Sequence, residues 1–202
     1  QPRCVVAMEA CATAHGWGRE FEKLGHDVRL IPPIYVKPFV KRQKNDVADA
    51  EAIVEAALRP TMRFVAVKTE GQQVRAMLFR TRQMFVCQRT QMINALRGHL
   101  AEHGLVAATG TAQLKRLADA IEDSATALPE GVRDLGLMYL AQIAGLNARV
   151  AELDLKMRSA AKEADVARRF QTMPGVGPIT ALAIETFAPD LISFRRGRDF
   201  AA

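Results

Sequence analysis

The stretch Lys41 to Ala50, KRQKNDVADA, sets two aspartates, Asp46 and Asp49, three residues apart at the start of an apolar-periodic segment and behind a basic run. On a helix that spacing puts both carboxylates on one face, with Cβ atoms roughly 5–6 Å apart, near enough to share a bound cation or to flank a second one. That is a metal-site geometry. Lys41, Arg42 and Lys44 stand beside the pair, where they would place a phosphate. The same residues also have a structural use. Asn45 and Asp46 are good N-cap residues, and a first-turn carboxylate such as Asp49 is favoured at the positive end of a helix. Glu9 carries the same two readings for its own helix. Spacing alone leaves both open.

The elements that must position these groups read as strand, helix, strand, helix. Val5 to Met8 is a short apolar run ended by Glu9, and an amphipathic segment follows from Ala10 to Leu24. Asp27 to Ile31 reads as a second, buried strand that Pro32 and Pro33 stop, and a helix is expected from Ala48 to Leu58. In an open α/β layout the chemistry gathers beyond the carboxyl ends of the strands, where Glu9 stands. Glu9, Asp46 and Asp49 are therefore expected to meet at one edge.

Met8-Glu9-Ala10-Cys11-Ala12, Leu30-Ile31-Pro32-Pro33, Tyr35-Val36-Lys37-Pro38-Phe39 and Lys44-Asn45-Asp46-Val47-Ala48-Asp49-Ala50 together resemble the DEDD transposases of bacterial insertion sequences, relatives of the Piv invertase (insertion sequence 110 family). The far end is similar as well, with Met173-Pro174-Gly175-Val176-Gly177-Pro178-Ile179-Thr180 leading to Phe194 and to Gly197-Arg198-Asp199-Phe200-Ala201-Ala202. The likeness covers nearly the whole chain in order. It implies a catalytic domain of RuvC-like, ribonuclease-H type, whose four acidic residues bind a divalent metal, normally magnesium. Carried onto these positions, the family's glutamate falls on Glu9 and its closing aspartates on Asp46 and Asp49.

The resemblance further implies strand cleavage and exchange on DNA, work as a homo-oligomer, and guidance by a structured noncoding RNA. It places the protein in the bacterial cytoplasm, associated with the nucleoid. Two departures stand out. The family's first aspartate, on an opening strand, has no counterpart before Glu9, and the serine-bearing region that relatives carry beyond GRDFAA is not among these residues. Without opening strands the Val5 and Val28 strands would present unpaired edges, so the chain reads as an internal piece of a longer protein, inactive alone. Two other readings compete: a Holliday-junction nuclease using the same acidic site with water as nucleophile, and a non-catalytic DNA-binding remnant.

Beyond residue 67 the organisation changes to long helices. From Glu70 to Leu100 apolar residues recur at helical spacing (Val74, Met77, Leu78, Phe85, Met92, Leu96, Leu100), and Ile143, Leu146, Val150, Leu153, Met157 and Ala160 alternate by three and four. An antiparallel coiled-coil arm over 68–165 is expected. Arg75, Arg82 and Arg89 recur every seven residues and form one basic stripe, either a solvated face or a phosphate track. The connector holds a short helical pattern around Leu114, Leu117 and Ile121. Over 166–202, Gly175, Val176, Gly177 and Thr180 lie in a tight turn opening a helix, similar to a helix-hairpin-helix module, where glycines let backbone amides approach a phosphate.

The fold class that follows is α/β plus α: a partial RuvC-like domain over 1–67, the helical arm, and the hairpin-bearing segment. A net charge of +6 with pI near 9.5 favours a polyanionic partner. No apolar run approaches the ~20 residues that span a bilayer, so no membrane role is expected. Cys4, Cys11 and Cys87 fit neither a disulfide framework nor a zinc knuckle and read as buried thiols. His99 and His103 have chelating spacing but no third ligand motif.

Overall fold

A computed structural model describes residues 2–41, 45–188 and 194–201. The chain forms two compact units, Gln1–Val74 with Thr186–Ala202, and Arg75–Glu185. The architecture is α/β plus α, a small parallel sheet with its helices and then a largely helical remainder.

In the first unit β1 (Val5–Glu9) and β2 (Asp27–Ile31) run parallel, with Val5 opposite Asp27 and Glu9 opposite Ile31. Parallel neighbours need a crossover, and α1 (Ala14–Lys23) supplies it. The ladder runs one step past Glu9, where the Ala10 amide donates to the Ile31 carbonyl at 2.8 Å. On the far side of β2 the Val65 amide donates to the Leu30 carbonyl at 2.7 Å and makes an antiparallel bridge. Proline ends the strand as expected, because it has no amide to give the ladder. Pro33 then opens a short helix α2 (Pro33–Val36), a position where the missing amide costs nothing. A 3-10 turn, Lys37–Phe39, follows.

Helix α3 (Asp46–Ala57) begins two residues before the expected Ala48 because Asn45 caps it, its side chain accepting from the Ala48 amide at 2.8 Å. Its buried face is Ala48, Ala52 and Ala56, three small residues one turn apart that allow close approach to the sheet. Ala52 and Ala56 join Ile31 and Val36 in a core to which Ala7, Phe39, Ile53 and Met62 are added.

The second unit is built on α4 (Glu70–Ala101), which enters it from the first, and α6 (Glu130–Glu163). They run antiparallel: Arg82 meets Asp154, Arg89 meets Asn147 and His99 meets Tyr139. At one end α5 (Thr111–Glu122) closes a core of Leu96, Leu100, Leu117, Ile121 and Ile143. Arg133 ties the α5 exit down by donating to the carbonyls of Ile121, Asp123 and Thr126. At the other end α7 (Asp165–Phe170) and α8 (Pro178–Phe187) join Met157, Ala161, Ala167, Ala181 and Leu182, with Leu78 and Phe79 added from α4. A short α9 (Gly197–Ala201) lies near the end of the chain.

The α6 seam Ile143, Leu146, Val150, Leu153 and Met157 is buried, but its next member is Ala161 and not Ala160, since a step of four keeps the buried line on one face at 3.6 residues per turn. On α4 the apolar reading of Val74 and Met77 is corrected: they are 62% and 70% exposed, and Ala76, Leu78 and Phe79 take the inner face. The cysteines are corrected too. All three are free and exposed, because the helical seam excludes Cys87 and the loop and strand ends carry Cys4 and Cys11. Among the described residues no helix is long and apolar enough to cross a membrane.

Candidate functional site

Glu9 is the last residue of β1, at the carboxyl end of the parallel pair, and is half-buried. Asp46 and Asp49 lie in the first turn of α3, a helix in contact with both strands. Asn45 caps the Ala48 amide, so neither aspartate is needed for that bond. At about 100° per residue, Asp49 borders the buried alanine face while Asp46 turns toward solvent. The exposures agree, with Asp49 half-buried and Asp46 exposed. No ion pair involves Glu9, Asp46 or Asp49 among the described interactions.

The donor chemistry of the three fits a hard divalent cation. Their arrangement does not complete a site: among the described residues no three His, Cys, Asp or Glu side chains stand close enough together to hold a metal ion. The fold therefore brings the three carboxylates into one unit and onto elements in contact, without assembling a three-ligand cluster. His99 has another engagement, its ring 5.8 Å from that of Tyr139 and its Nε2 3.4 Å from the phenol oxygen.

Of the basic residues expected beside the aspartates, Arg42 and Lys44 lie outside the described residues. Lys41 is described and already engaged. Its Nζ donates to Glu51 at 2.6 Å, and that hydrogen bond holds the ammonium above its ordinary range.

The arginine stripe does not lie on a solvated face. Arg75, Arg82 and Arg89 are half-buried along the inner side of α4. Arg82 donates to Asp154 at 2.5 Å, and this bond raises its guanidinium above the usual value, so it stays charged. Arg75 stands 3.5 Å from Glu185, whose other oxygen accepts from the Ala167 amide. Arg89 donates to the neutral Asn147 at 3.0 Å. The heptad recurrence that suggested a phosphate track serves as rungs between helices: positions 82 and 89 oppose 154 and 147, both pairs summing to 236 as an antiparallel register requires.

The turn before α8 is built as its residue types dictate. The Val176 amide donates to the Met173 carbonyl at 3.1 Å across Pro174 and Gly175, and Gly175 has φ +84°. Proline at the second position with a left-handed residue at the third defines a type II turn, and the third position favours glycine. Val176 is drawn into the Met157 core, while Gly175, Gly177 and Thr180 are exposed at the start of α8. Beside this turn lies an open groove of about 580 Å³ lined by Leu155, Arg158, Ser159, Lys162, Gln171 and Pro178. The sequence reading missed it. Arg158 and Lys162 are one turn apart on α6, but nothing in their spacing says that residues 171 and 178 return beside them.

Comparison with known proteins bears on the whole arrangement. A family model described as a transposase, that of the DEDD transposases of IS110, matches residues 1–104. Over 201 residues the chain is 42% identical to y4pF/y4sB of Sinorhizobium fredii, covering 100% of the chain and 52% of that protein. It is 41% identical over 202 residues to the transposase for insertion sequence element IS1328 of Yersinia enterocolitica, covering 100% of the chain and 60% of the relative. With the transposase for insertion sequence element IS1111A of Coxiella burnetii the identity is 38% over 201 residues, covering 98% and 55%. The chain thus spans little more than half the length of these relatives. It belongs to the IS110 family of DEDD transposases.

Proposed function

We propose that this chain carries the strand-cleavage part of an insertion-sequence transposase, acting on DNA phosphodiester bonds through Glu9, Asp46 and Asp49. The observation that carries the reading is the placement of three carboxylates, none of them in an ion pair among the described residues, at the end of β1 and the start of α3, within the segment that matches the family. Carboxylates outside any ion pair among the described residues, at a strand end and at a helix start whose Ala48 amide is capped by Asn45, are available for a ligand.

The finer parts of the proposal follow the family. The first unit is a partial RuvC-like domain, the α4–α6 pair is a coiled-coil arm, and α7 with α8 forms a helix-hairpin-helix-like element whose backbone at Gly175, Gly177 and Thr180 lies along a phosphate. Glu9, Asp46 and Asp49 would hold a magnesium or manganese ion, which supplies charge neutralisation at the scissile phosphate when bound. Convergence of the three on one ion requires further acidic ligands or closure on DNA. The whole protein works as a homo-oligomer on DNA in the bacterial cytoplasm, at the nucleoid, guided by a structured noncoding RNA.

The test is Asp46→Ala in the full-length parent. Transposition should fall to background while binding to DNA and RNA is retained. Strand exchange at the wild-type level by that variant removes the catalytic assignment.

A further inference from the structure

The second unit contains a cationic groove with no role in the strand-cleavage reading. Arg158 and Lys162 project from one face of α6, one turn or about 6 Å apart along the axis. Both are exposed, and neither takes part in an ion pair among the described interactions. Their neighbours on the same helix behave differently. Arg149 and Lys156 both reach Glu152, at 3.4 and 2.7 Å. Arg168 is held by Asp165. Unlike these three neighbours, the two cations that face the groove pair with no carboxylate among the described residues.

The walls of the groove are fixed by polar contacts that themselves need no ligand. Gln171 donates from its Nε2 to the carbonyls of Ala161 and Ala167, at 3.2 and 3.1 Å, which pins the turn after α7 against the end of α6. Pro178, the first residue of α8, also lines the groove and adds the positive end of that helix to the potential from the two cations. Ser159 adds a hydroxyl, and Leu155, 65% exposed, adds an apolar surface at the rim. The groove measures about 580 Å³ and is partly open to solvent, so a polyanion can reach the two cations from outside.

We propose that this groove binds the sugar-phosphate backbone of a nucleic acid, with Arg158 and Lys162 neutralising one phosphate or two successive ones and Leu155 lying against the sugar. Contacts of this type position a strand without reading its bases. The proposal rests on the reading of the chain as a transposase component for the identity of its polyanion, but not on the acidic residues of the first unit. It assigns a contact surface on the arm whose cations, Arg158 and Lys162, belong to neither the acidic site nor the Met173–Thr180 turn, with Pro178 shared between that turn and the groove.

The experiment is fluorescence anisotropy of the 202-residue chain with a labelled 30-base-pair DNA duplex and, separately, a single-stranded RNA of the same sequence, at several salt concentrations. The variants are Arg158→Ala/Lys162→Ala and, as a charge-matched control on the same helix, Arg149→Ala/Lys156→Ala. Both place alanine at exposed helical positions, which favours the helix, and a thermal melt verifies folding. The groove variant should lose about tenfold in affinity near 100 mM salt. The slope of log K against log salt should flatten by about 1–2, as expected for losing one or two phosphate contacts. The control should change affinity less than threefold. Whichever of DNA and RNA shows the larger loss is the strand that lies in the groove. Equal losses from groove and control variants would overturn the assignment, leaving only a diffuse charge effect. Absence of wild-type binding to both probes would overturn it as well, and the Asp46→Ala test of strand cleavage would stand apart from either outcome.

Discussion

The two units of this chain use charge in opposite ways. In the arm, the arginines that a heptad count marks out are turned inward, Arg75 and Arg82 against the carboxylates of Glu185 and Asp154 and Arg89 against the neutral amide of Asn147. In the α/β unit, Glu9, Asp46 and Asp49 occupy a strand end and a helix start, and among the described residues none of them takes part in an ion pair. A half-buried charge that has found its counterion is part of the scaffold, because removing it would leave the partner uncompensated. A charge without a counterion does no such structural work, and sequence spacing by itself cannot tell the two apart. The same criterion separates Arg158 and Lys162 from Arg149 and Lys156 on a single helix.

The largest effect expected from this contrast separates two adjacent residues. Asp46→Ala should eliminate transposition by the full-length parent without lowering its melting temperature measurably. Asn45→Ala removes the cap on the Ala48 amide and should cost about 1 kcal/mol, or roughly 2–4 °C in a protein of this size, while transposition persists. Thermal melts beside a transposition assay read both. If Asp46→Ala instead destabilises the chain as Asn45→Ala does, Asp46 is a structural carboxylate like those of the arm, and the contrast between the units fails.

Much of the α/β unit was legible because its signals are local. The runs at Val5 and Asp27 became β1 and β2, β2 with its expected ends and β1 one residue longer through Glu9, since an apolar run bounded by proline or turn residues has few alternatives. The register of the α6 seam was also legible, because 3.6-residue periodicity survives over 34 residues. Charge pairing was not. That Arg82 faces Asp154, 72 positions away, depends on how α5 and its loops return the chain, and no pattern local to α4 encodes it. For the same reason Val74 and Met77, apolar and well spaced, could be placed on the wrong side of α4. The juxtaposition of Glu9 with the aspartates sits between these cases. The elements and their contacts were readable, but the side-chain distances that decide whether three ligands share an ion were not, and the three form no such cluster here.

A smaller effect probes the rungs themselves. Arg82→Ala leaves Asp154 without its partner in a partly buried seam and should cost about 1–3 kcal/mol, whereas Arg89→Ala breaks a bond to a neutral amide and should cost about 0.5–1.5 kcal/mol. A double-mutant cycle of Arg82→Ala and Asp154→Ala in urea denaturation gives the coupling directly. Coupling near zero would mean that the arm's arginines are no more committed than the carboxylates of the first unit.

Two glycines of α6 sharpen the picture of the arm at the level of about 1 kcal/mol. A Cβ at Gly145 meets open space, so Gly145→Ala should gain about 0.8–1 kcal/mol from helix propensity. At Gly136 a Cβ would stand 3.1 Å from the Cδ1 of Ile121, which is fully buried, so Gly136→Ala should lose that gain to crowding against α5. Equal stabilisation by the two substitutions, measured in denaturant, would show that α5 does not press on α6 at this point.

The finest test concerns Glu152, on the outer side of α6. Its hydrogen bond from Lys156, then its attraction to that ammonium, and then Arg149, hold its carboxyl below the ordinary carboxylate range. A carboxyl depressed in the folded state contributes stability that is present above the unfolded-state value and is lost as pH falls through the folded one. The loss therefore belongs to the acid side of the usual carboxylate range. In an exposed group it is small and shrinks with salt. Titration of the Glu152 carboxyl carbon by NMR should give a depressed midpoint that rises toward the ordinary value in Lys156→Ala, and rises less in Arg149→Ala. A midpoint already in the ordinary range would make Arg149 and Lys156 as unpaired as Arg158 and Lys162. Counterion pairing would then no longer distinguish the groove from the rest of the helix surface.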